Sequence, residues 1–362
     1  MKNKIIYSCE WDKNIETSWS GTNMSIRKRL DKNFEVIDFD FGIRKPYTFL
    51  SKVVNKTLHK KIDLSKHYSK VFKSKYNSNN IIFQFGTTPN VYDKSNKHFV
   101  YQDLSWNNVK DLYYKDKETF NVSAYQNIVQ NDIDSFTDKQ NEFYNHDNVY
   151  CLTMGHWLAK YLVDEVHIPQ DRVCFCGGGT NIDISKIDMS KKTGNKFLFV
   201  GKDFKRKNGP LVIEAFKKLH KENPNYELYV AGPSDLDINE EGIHNLGLLS
   251  FNELIEYFNL CDVFVMPSVF EAYGIVFGEA LSFGLPIIGR DAYEMPYFVE
   301  EGKNGYLLKD NSSDSLAKIM KDTIDNKDII NYVKEHQQEY IRQYSWDTVV
   351  ERMTNFINSK CK

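Results

Sequence analysis

Short apolar segments alternate with amphipathic segments along this chain, and the alternation occurs twice. The first set opens with KIIYSCEW and the second opens with KFLFVG. A continuous apolar run of this length is typical of a strand buried on both faces, and amphipathic helices between such strands cover a parallel sheet. The pattern therefore predicts an α/β protein with two Rossmann-like domains that face each other across a cleft.

The polar stretch DISKIDMSKKTGN lies between the two sets and has no strong period. We interpret these residues, 183–195, as a linker. The first domain then covers residues 1–182 and the second covers residues 196–340, with one more amphipathic helix in the final segment, residues 341–362. The length of 362 residues also favours two hydrophobic cores over one.

Composition narrows the class of protein. A hydrophobic fraction of 41% supports packed cores and argues against disorder, and a formal net charge of −2 gives no sign of nucleic-acid binding. No apolar run approaches the length of a membrane-spanning helix, and the start MKNKIIYSCEW is too weakly apolar for a signal peptide. We therefore expect a cytoplasmic protein.

The six cysteines lack paired spacing, apart from Cys174 and Cys176. We expect all six to be free, buried thiols, and we expect Cys174 and Cys176 to point to opposite faces of a strand. A redox or zinc role for this pair is the less favoured alternative.

Two carboxylates interrupt the apolar stretch PSVFEAYGIVFGEALSFGLPII. Glu271 precedes a predicted helix that begins near Ile275, and Glu279 lies about one turn inside that helix. Ligands of parallel α/β sheets bind at the carboxyl ends of the strands, and a helix N-terminus attracts phosphate. One acid on each side of an anion-binding helix start predicts a site for a nucleoside-diphosphate sugar, which has hydroxyl groups at both ends and a diphosphate between them. Two acids that only stabilise the helix dipole are the alternative.

Three cations follow the strand KFLFVG, in the segment KDFKRKNGP: Lys202, Arg206 and Lys207. Cations at the start of a helix are disfavoured by its dipole, so their presence requires a reason. A bound diphosphate would supply one, and a solvated basic loop is the alternative. The cations therefore favour the nucleotide-sugar hypothesis.

At this point the sequence resembles a known family. The segments FVGKDFKRKNGPLVIEAF, VAGPSD, HNLGLLSFNELIEYFNLCDVFVMPSVFEAYGIVFGEALSFGLPII and EEGKNGYLL are similar to the C-terminal half of family 4 glycosyltransferases. These enzymes have the GT-B fold and retain anomeric configuration. The resemblance implies an acceptor-binding N-terminal domain, a nucleotide-sugar-binding C-terminal domain, and a closing helix in YSWDTVVERM that crosses back to the N-terminal domain.

The resemblance also implies roles for individual residues. Glu279 would bind the ribose hydroxyls, and Glu271 would bind hydroxyls of the donated sugar. Lys207, with Arg206 or Lys202, would hold the diphosphate and stabilise the charge that develops on it. Backbone or side-chain contacts with the donor are expected from a further set: Gly232, Leu248, Leu249, Ala272, Tyr273, Gly274, Ile275 and Val276.

Two residues of the N-terminal domain complete the implied site. Gly21 would let the backbone approach the diphosphate, and Asp103 would lie beside the transferred sugar, with a loop-capping role as its alternative. The sequence departs from the family at Ala272, where a Gly is usual, and at YEMPY (Tyr293 to Tyr297), where Gly-Gly-x-Pro-Glu is usual. These departures concern the acceptor contacts.

No metal or other cofactor is expected, because such enzymes stabilise the departing diphosphate with fixed cations and amides. The string Asp38-Phe39-Asp40 matches the Asp-x-Asp of metal-dependent GT-A enzymes, but two acids at this spacing are common by chance. The expected activity is retaining transfer from a nucleotide sugar, UDP-linked first and GDP-linked next, to a glycan or glycolipid in cell-surface polysaccharide or glycoconjugate synthesis.

A basic segment gives the clearest indication of the acceptor. Residues 44–76 hold ten Lys or Arg against the single acid Asp63, a formal charge of +9, interleaved with Tyr47, Phe49, Tyr68 and Phe72. Such a segment could bind an anionic membrane at the inner face of the cell, or an anionic glycan. A solvated surface helix is the alternative.

Two other enzyme classes fit parts of the sequence. A sugar-nucleotide epimerase of GT-B fold would share the donor site without an acceptor groove, and a DNA-modifying glycosyltransferase would use the basic segment to track phosphates. The sequence leaves the sugar, the acceptor, the linkage and the oligomeric state open.

Overall fold

The computed structural model describes residues 2–9, 11, 21–40, 72, 76, 80–86, 92–236 and 238–361. The chain divides into two compact units: unit 1 comprises residues 1–177 and 346–362, and unit 2 comprises residues 178–345. Each unit contains one six-stranded sheet in which every neighbouring pair of strands is parallel. The predicted α/β class is confirmed.

The sheet of unit 1 has the strand order β2-β1-β3-β4-β5-β6. Strands β3 and β4 are almost wholly buried, which explains their continuous apolar sequences. The six strands are β1 Lys4–Cys9, β2 Glu35–Asp40, β3 Ile81–Phe85, β4 Lys97–Gln102, β5 Val149–Thr153 and β6 Val173–Phe175.

The helices of unit 1 include one from the end of the chain. The helices are α1 Thr22–Asn33, α2 Trp106–Lys115, α3 Lys117–Val122, α4 Gln130–Tyr144, α5 His156–Asp164 and α13 Trp346–Lys360. Helix α13 packs on α1, where Asp347 forms ion pairs with Arg29 at 3.1 Å and Lys32 at 2.9 Å. The final amphipathic segment is therefore part of unit 1.

The sheet of unit 2 has the strand order β12-β11-β10-β7-β8-β9. The chain places β8 and β9 on one side of β7 and then returns to place β10, β11 and β12 on the other side. The strands are β7 Lys196–Val200, β8 Glu227–Ala231, β9 Ile243–Gly247, β10 Val263–Val265, β11 Ile287–Arg290 and β12 Gly305–Leu308. This is the order of a doubly wound dinucleotide-binding sheet.

The helices of unit 2 follow the predicted alternation. They are α6 Gly209–Glu222, α7 Phe251–Leu260, α8 Ile275–Ser282, α9 Met295–Phe298, α10 Ser313–Asp325, α11 Lys327–Glu335 and α12 Gln337–Gln343. Helix α6 has Pro210 in its first turn and buries Leu211, Ala215 and Leu219 along one face. Helix α7 begins with the predicted capping box of Ser250 and Glu253.

The segment that we interpreted as a linker lies inside unit 2. Two 3-10 turns, Ile184–Lys186 and Met189–Lys191, occupy most of it. The side chain of Asn259, which is buried on α7, accepts a hydrogen bond from the Asp188 amide and donates one to the Lys186 carbonyl, each at 2.8 Å. These two hydrogen bonds attach the segment to α7 of unit 2.

The basic segment, residues 44–76, lies outside the described residues except for Phe72 and Tyr76. Phe72 is fully buried and packs edge-on against Phe39 of β2, with ring centroids 5.2 Å apart. This ring is part of the core of unit 1, and the predicted role of the basic segment in binding an anionic surface stays a prediction. Among the described residues, no helix combines the length and hydropathy needed to cross a membrane.

The six cysteines form no disulfide, as predicted, and Cys9, Cys151, Cys176 and Cys261 are buried. The prediction of burial is wrong for Cys174 and Cys361, which are partly exposed. The predicted orientation of the Cys174–Cys176 pair is wrong, because the two Sγ atoms lie 3.9 Å apart. Side chains at positions i and i+2 of an extended chain lie on the same face, since the period of a strand is two residues.

Candidate functional site

The two central strands of unit 2, β7 and β10, are hydrogen-bonded neighbours. The order of the strands reverses between them, so the loops that follow them diverge and leave a crevice at the carboxyl edge of the sheet. Lys207 lies in the loop after β7, and Glu271 lies in the loop after β10. The tertiary structure thus brings the predicted cations and the first predicted acid to one switch point.

The side chains of these two loops form one charged cluster. The ammonium group of Lys207 donates a hydrogen bond to Oε2 of Glu271, and Nη1 of Arg206 lies 3.5 Å from the same oxygen. Nη1 of Arg206 also donates to the carbonyl of Phe270 at 2.8 Å, and its Nε donates to Asp203 at 3.0 Å. Both cations are therefore paired with carboxylates within one unit.

Local backbone geometry holds the cluster in place. Asn208 adopts a left-handed conformation with φ of 62°, and its side-chain amide donates to the carbonyl of Pro267 at 3.2 Å in the other loop. A Cβ on the next residue, Gly209, would lie 2.2 Å from the Phe204 ring, so a larger residue there would force the ring to move. The sequence KNGP thus turns the chain sharply from Lys207 into α6.

Burial and charge act in opposite directions on the cluster. Burial raises the pKa of the Glu271 carboxyl, but the neighbouring charges of Lys207 and Arg206 outweigh burial and leave its pKa below the ordinary value. Burial also lowers the pKa of Lys207, which the charge of Glu271 partly opposes. Glu271 is therefore held as a carboxylate, ready to accept hydrogen bonds.

The N-terminus of α8 opens beside Glu271. Gly274 precedes the helix with φ of 91°, and a Cβ at this position would lie 2.8 Å from the Phe277 ring and 3.0 Å from Cγ of Glu271. No side chain of the described residues caps this helix. The Phe277 amide donates to the Gly274 carbonyl at 3.0 Å. The positive end of the helix dipole lies at this N-terminus, where it would stabilise an anion.

Glu279 lies on α8, as predicted, and its side chain is buried. One carboxylate oxygen accepts a hydrogen bond from the backbone amide of Asn181 at 3.0 Å. Burial raises the pKa of Glu279 to about 7, and the Asn181 amide only partly offsets that rise. Sequence reasoning did not identify Asn181, because a backbone donor leaves no signature in residue types.

Tyr273 has a positioning role that the sequence did not indicate. Its hydroxyl accepts a hydrogen bond from the Gly178 amide at 2.8 Å and lies 3.1 Å from the Gly178 carbonyl. Asn181 and Gly178 both belong to the first residues of unit 2, and both are bonded to the segment that carries the predicted donor residues. The first residues of unit 2 are therefore hydrogen-bonded to the segment that carries the candidate site.

The segment YEMPY, which replaces the usual Gly-Gly-x-Pro-Glu, begins with a residue of positive φ. Tyr293 has φ of 56°, a conformation that is unusual for a bulky residue and ordinary for Gly. Its ring packs edge-on against Phe270, with centroids 4.8 Å apart. Tyr293 thus adopts the backbone conformation that the usual Gly of this motif would take without strain, next to the loop that carries Glu271.

Known proteins resemble this chain in sequence and in fold. Residues 181–345 match the family model described as glycosyl transferases group 1. Unit 2 is a glycosyl transferases group 1 domain. The chain is 26% identical over 237 residues to an uncharacterized glycosyltransferase of Methanocaldococcus jannaschii, an alignment that covers 58% of this chain and 60% of that protein.

A second relative is the GtfA subunit of the UDP-N-acetylglucosamine–peptide N-acetylglucosaminyltransferase of Streptococcus pneumoniae. It is 29% identical over 269 residues, which cover 72% of this chain and 48% of the subunit. The chain thus spans about half the length of the curated relatives that it matches. The solved structure of sucrose-phosphate synthase from Thermosynechococcus elongatus superposes with a TM-score of 0.67 at 14% identity over 99% of both chains. The predicted GT-B fold class is confirmed.

Other predicted donor residues of the group 1 domain lie at the same edge of its sheet. Gly232 follows β8, and its amide donates to the Gly247 carbonyl at 3.1 Å. Leu248 follows β9 and is 59% exposed, which is unusual for a large apolar side chain. Leu249, Ala272, Ile275 and Val276 are half-buried. Lys202 is exposed and makes no ion pair with the described residues, whereas Arg206 joins the cluster.

Gly21 and Asp103 lie in unit 1, outside the group 1 domain. Gly21 immediately precedes α1 with φ of 87°, and Asp103 follows β4 at the predicted strand end. Burial, with a contribution from the charge of Asp103, raises the pKa of Tyr125. Asp38 of the Asp-x-Asp string forms an ion pair with Arg27 at 3.0 Å. Roles of these residues toward a donor stay predictions.

Proposed function

We propose that this protein transfers a sugar from a nucleoside-diphosphate sugar to a glycan or glycolipid acceptor. The observation that carries the proposal is the cluster of Lys207, Arg206 and Glu271 at the switch point of unit 2, beside the N-terminus of α8, which no described side chain caps. Cations and free amides suit a diphosphate, and carboxylates suit the hydroxyl groups on either side of it.

Donor binding would rearrange the cluster. Lys207 and Arg206 are paired with Glu271 and Asp203, so the formal charges of the four groups cancel. A diphosphate must therefore compete with the carboxylates for the cations. We propose that the cations exchange partners, which leaves Glu271 to accept hydrogen bonds from the donated sugar while Glu279 accepts them from the ribose.

The proposed chemistry is front-face substitution with retention of anomeric configuration. The bond between the anomeric carbon and the phosphate oxygen breaks as the acceptor oxygen forms its bond on the same face, and the acceptor proton passes to the departing phosphate. Lys207, Arg206 and the amides of α8 would stabilise the negative charge that grows on the diphosphate. No metal is required in this scheme, and we propose that turnover persists after treatment with a chelator.

UDP is the nucleotide that we favour, with GDP next. The pneumococcal relative, as its name states, uses UDP-N-acetylglucosamine. Leu248, exposed after the carboxyl end of β9, offers an apolar surface on which a base could pack, with Leu249 next in the chain and Gly232 after the neighbouring strand β8. A direct comparison of UDP, GDP, ADP and dTDP binding by calorimetry decides among them.

The acceptor is proposed to lie at an anionic surface. Residues 44–76 carry a formal charge of +9, so we propose attachment to the inner face of the cell membrane from the cytoplasm. Flotation with anionic vesicles should recover the wild type and lose a variant in which the lysines of residues 52–61 are changed to Gln. Equal recovery of the two proteins would remove this proposal.

The proposed function is tested in two steps. A thermal-shift screen against UDP-, GDP-, ADP- and dTDP-sugars should show one stabilising donor, since a ligand of the native state raises its stability. Incubation of that donor with candidate acceptors should then release the nucleotide and give a glycoside with the anomeric configuration of the donor. Absence of affinity for every activated sugar refutes the proposal, and isomerisation of the donor without an acceptor identifies an epimerase.

A further inference from the structure

A pair of thiols lies outside the candidate site. Cys174 is the central residue of β6, and Cys176 follows the strand by one residue. The Sγ atoms are 3.9 Å apart, and the thiol of Cys176 points toward Sγ and the carbonyl oxygen of Cys174. The two sulfurs are close to van der Waals contact, so a bond of about 2.05 Å between them requires a local movement of roughly 2 Å.

The two thiols have different surroundings. Cys174 is partly exposed, whereas Cys176 is fully buried. The side chain of Arg352, on α13, donates from Nη1 to the Cys176 carbonyl at 3.1 Å, and its guanidinium carbon lies 5.6 Å from the centre of the Phe175 ring. A fixed positive charge therefore lies beside the pair.

This environment makes Cys174 the better nucleophile. The hydrogen bond from Cys176, with the charge of Arg352, lowers the pKa of Cys174, whereas burial raises the pKa of Cys176. Burial also raises the pKa of Cys151, another thiol of unit 1, to about 12. Cys151 is therefore shielded from solvent and stays in the unreactive, neutral thiol form. The accessible thiol and its buried neighbour have the arrangement of an attacking and a resolving cysteine.

We propose that Cys174 and Cys176 form a peroxide-sensitive dithiol that closes to an intramolecular disulfide. The Cys174 thiolate attacks hydrogen peroxide, so that an S–O bond forms, the O–O bond breaks, and hydroxide leaves as water after taking up a proton. The Cys176 thiol then attacks the sulfenic acid of Cys174, so that the S–S bond forms and a second water leaves. Two thiols and one peroxide thus give one disulfide and two waters.

The test uses the full chain, reduced and then freed of reductant. After one equivalent of hydrogen peroxide, the intact mass should fall by two hydrogen atoms, and peptide mapping should locate one disulfide between Cys174 and Cys176. In C176S the reaction should stop at a sulfenic acid that dimedone labels on Cys174. C361S, which removes the other partly exposed thiol, is the matched control and should oxidise as the wild type does.

Two results would overturn the proposal. One is a wild-type protein that keeps six free thiols after peroxide, which needs no variant to observe. The other is a C174S variant, shown to be folded by its melting curve, that loses thiols at the wild-type rate. This inference is independent of the proposed function, because neither outcome depends on sugar transfer.

Discussion

The carboxylate of Glu279 accepts a hydrogen bond from the backbone amide of Asn181, with the two atoms 3.0 Å apart. Burial raises the pKa of this carboxyl from 4.5 to about 7. The folded state therefore binds a proton more tightly than the unfolded state. Between pH 4.5 and 7 the contribution of Glu279 to the free energy of unfolding falls as the pH rises.

This shift predicts pH-dependent donor binding. Ribose hydroxyls donate stronger hydrogen bonds to the carboxylate than to the protonated carboxyl. UDP affinity should therefore fall as the pH drops below about 7. Glu279→Gln should lower the affinity by roughly tenfold to a hundredfold, the effect of losing hydrogen bonds to a charged group. The variant should also show a smaller pH dependence in calorimetry than the wild type, because only the titration of the UDP phosphate remains. Glu256→Gln, at an exposed position of α7, is the matched control and should keep both.

Lys207→Ala tests the charged cluster. We expect kcat to fall by about a hundredfold or more, because one preplaced donor to the developing charge is lost. Lys205→Ala, in the same loop but exposed, should leave kcat near the wild-type value. Near-wild-type turnover by a folded Lys207→Ala protein would remove this residue from the mechanism.

Gly274→Ala tests the approach to the helix N-terminus. An added Cβ would meet the Phe277 ring at 2.8 Å and Cγ of Glu271 at 3.0 Å, in addition to the strain of φ at 91°. Gly302→Ala is the control, since its φ is 78° and nothing lies within 4 Å of the added atom. Urea titrations should show a greater loss of stability for Gly274→Ala, and only that variant should weaken UDP binding. Equal losses would mean that the contacts of Gly274 are unimportant.

Tyr293 provides a test of backbone strain. Tyr293→Gly should be more stable than Tyr293→Ala by about 1 kcal/mol, because both variants lack the ring but only Gly adopts positive φ without cost. The same pair of changes at Tyr297, on the short helix α9, should give the opposite order, since Ala favours a helix. Chemical denaturation measures both differences. If Tyr293→Ala is more stable than Tyr293→Gly, the backbone at this position is not strained.

Particular residues show how far sequence alone reached. The alternation of apolar runs with amphipathic segments specified the strands and helices, and Pro210, Ser250 and Glu253 marked helix starts that the structure contains. Glu271 was expected just before a helix beginning near Ile275, and that is where α8 begins. These predictions succeeded because they depend on burial periodicity and capping, which are local along the chain.

Local sequence determined which residues carry charge and where strands end; only the tertiary structure decided which of them meet. The pairing of Lys207 with Glu271 depends on the adjacency of β7 and β10, and the raised pKa of Glu279 depends on burial and on an amide far along the chain. Cys174 and Cys176 illustrate the same limit, since their spacing was visible while Arg352 beside them was not. The physical reason is that distances between separate loops, and the desolvation that follows, arise from packing of the whole unit.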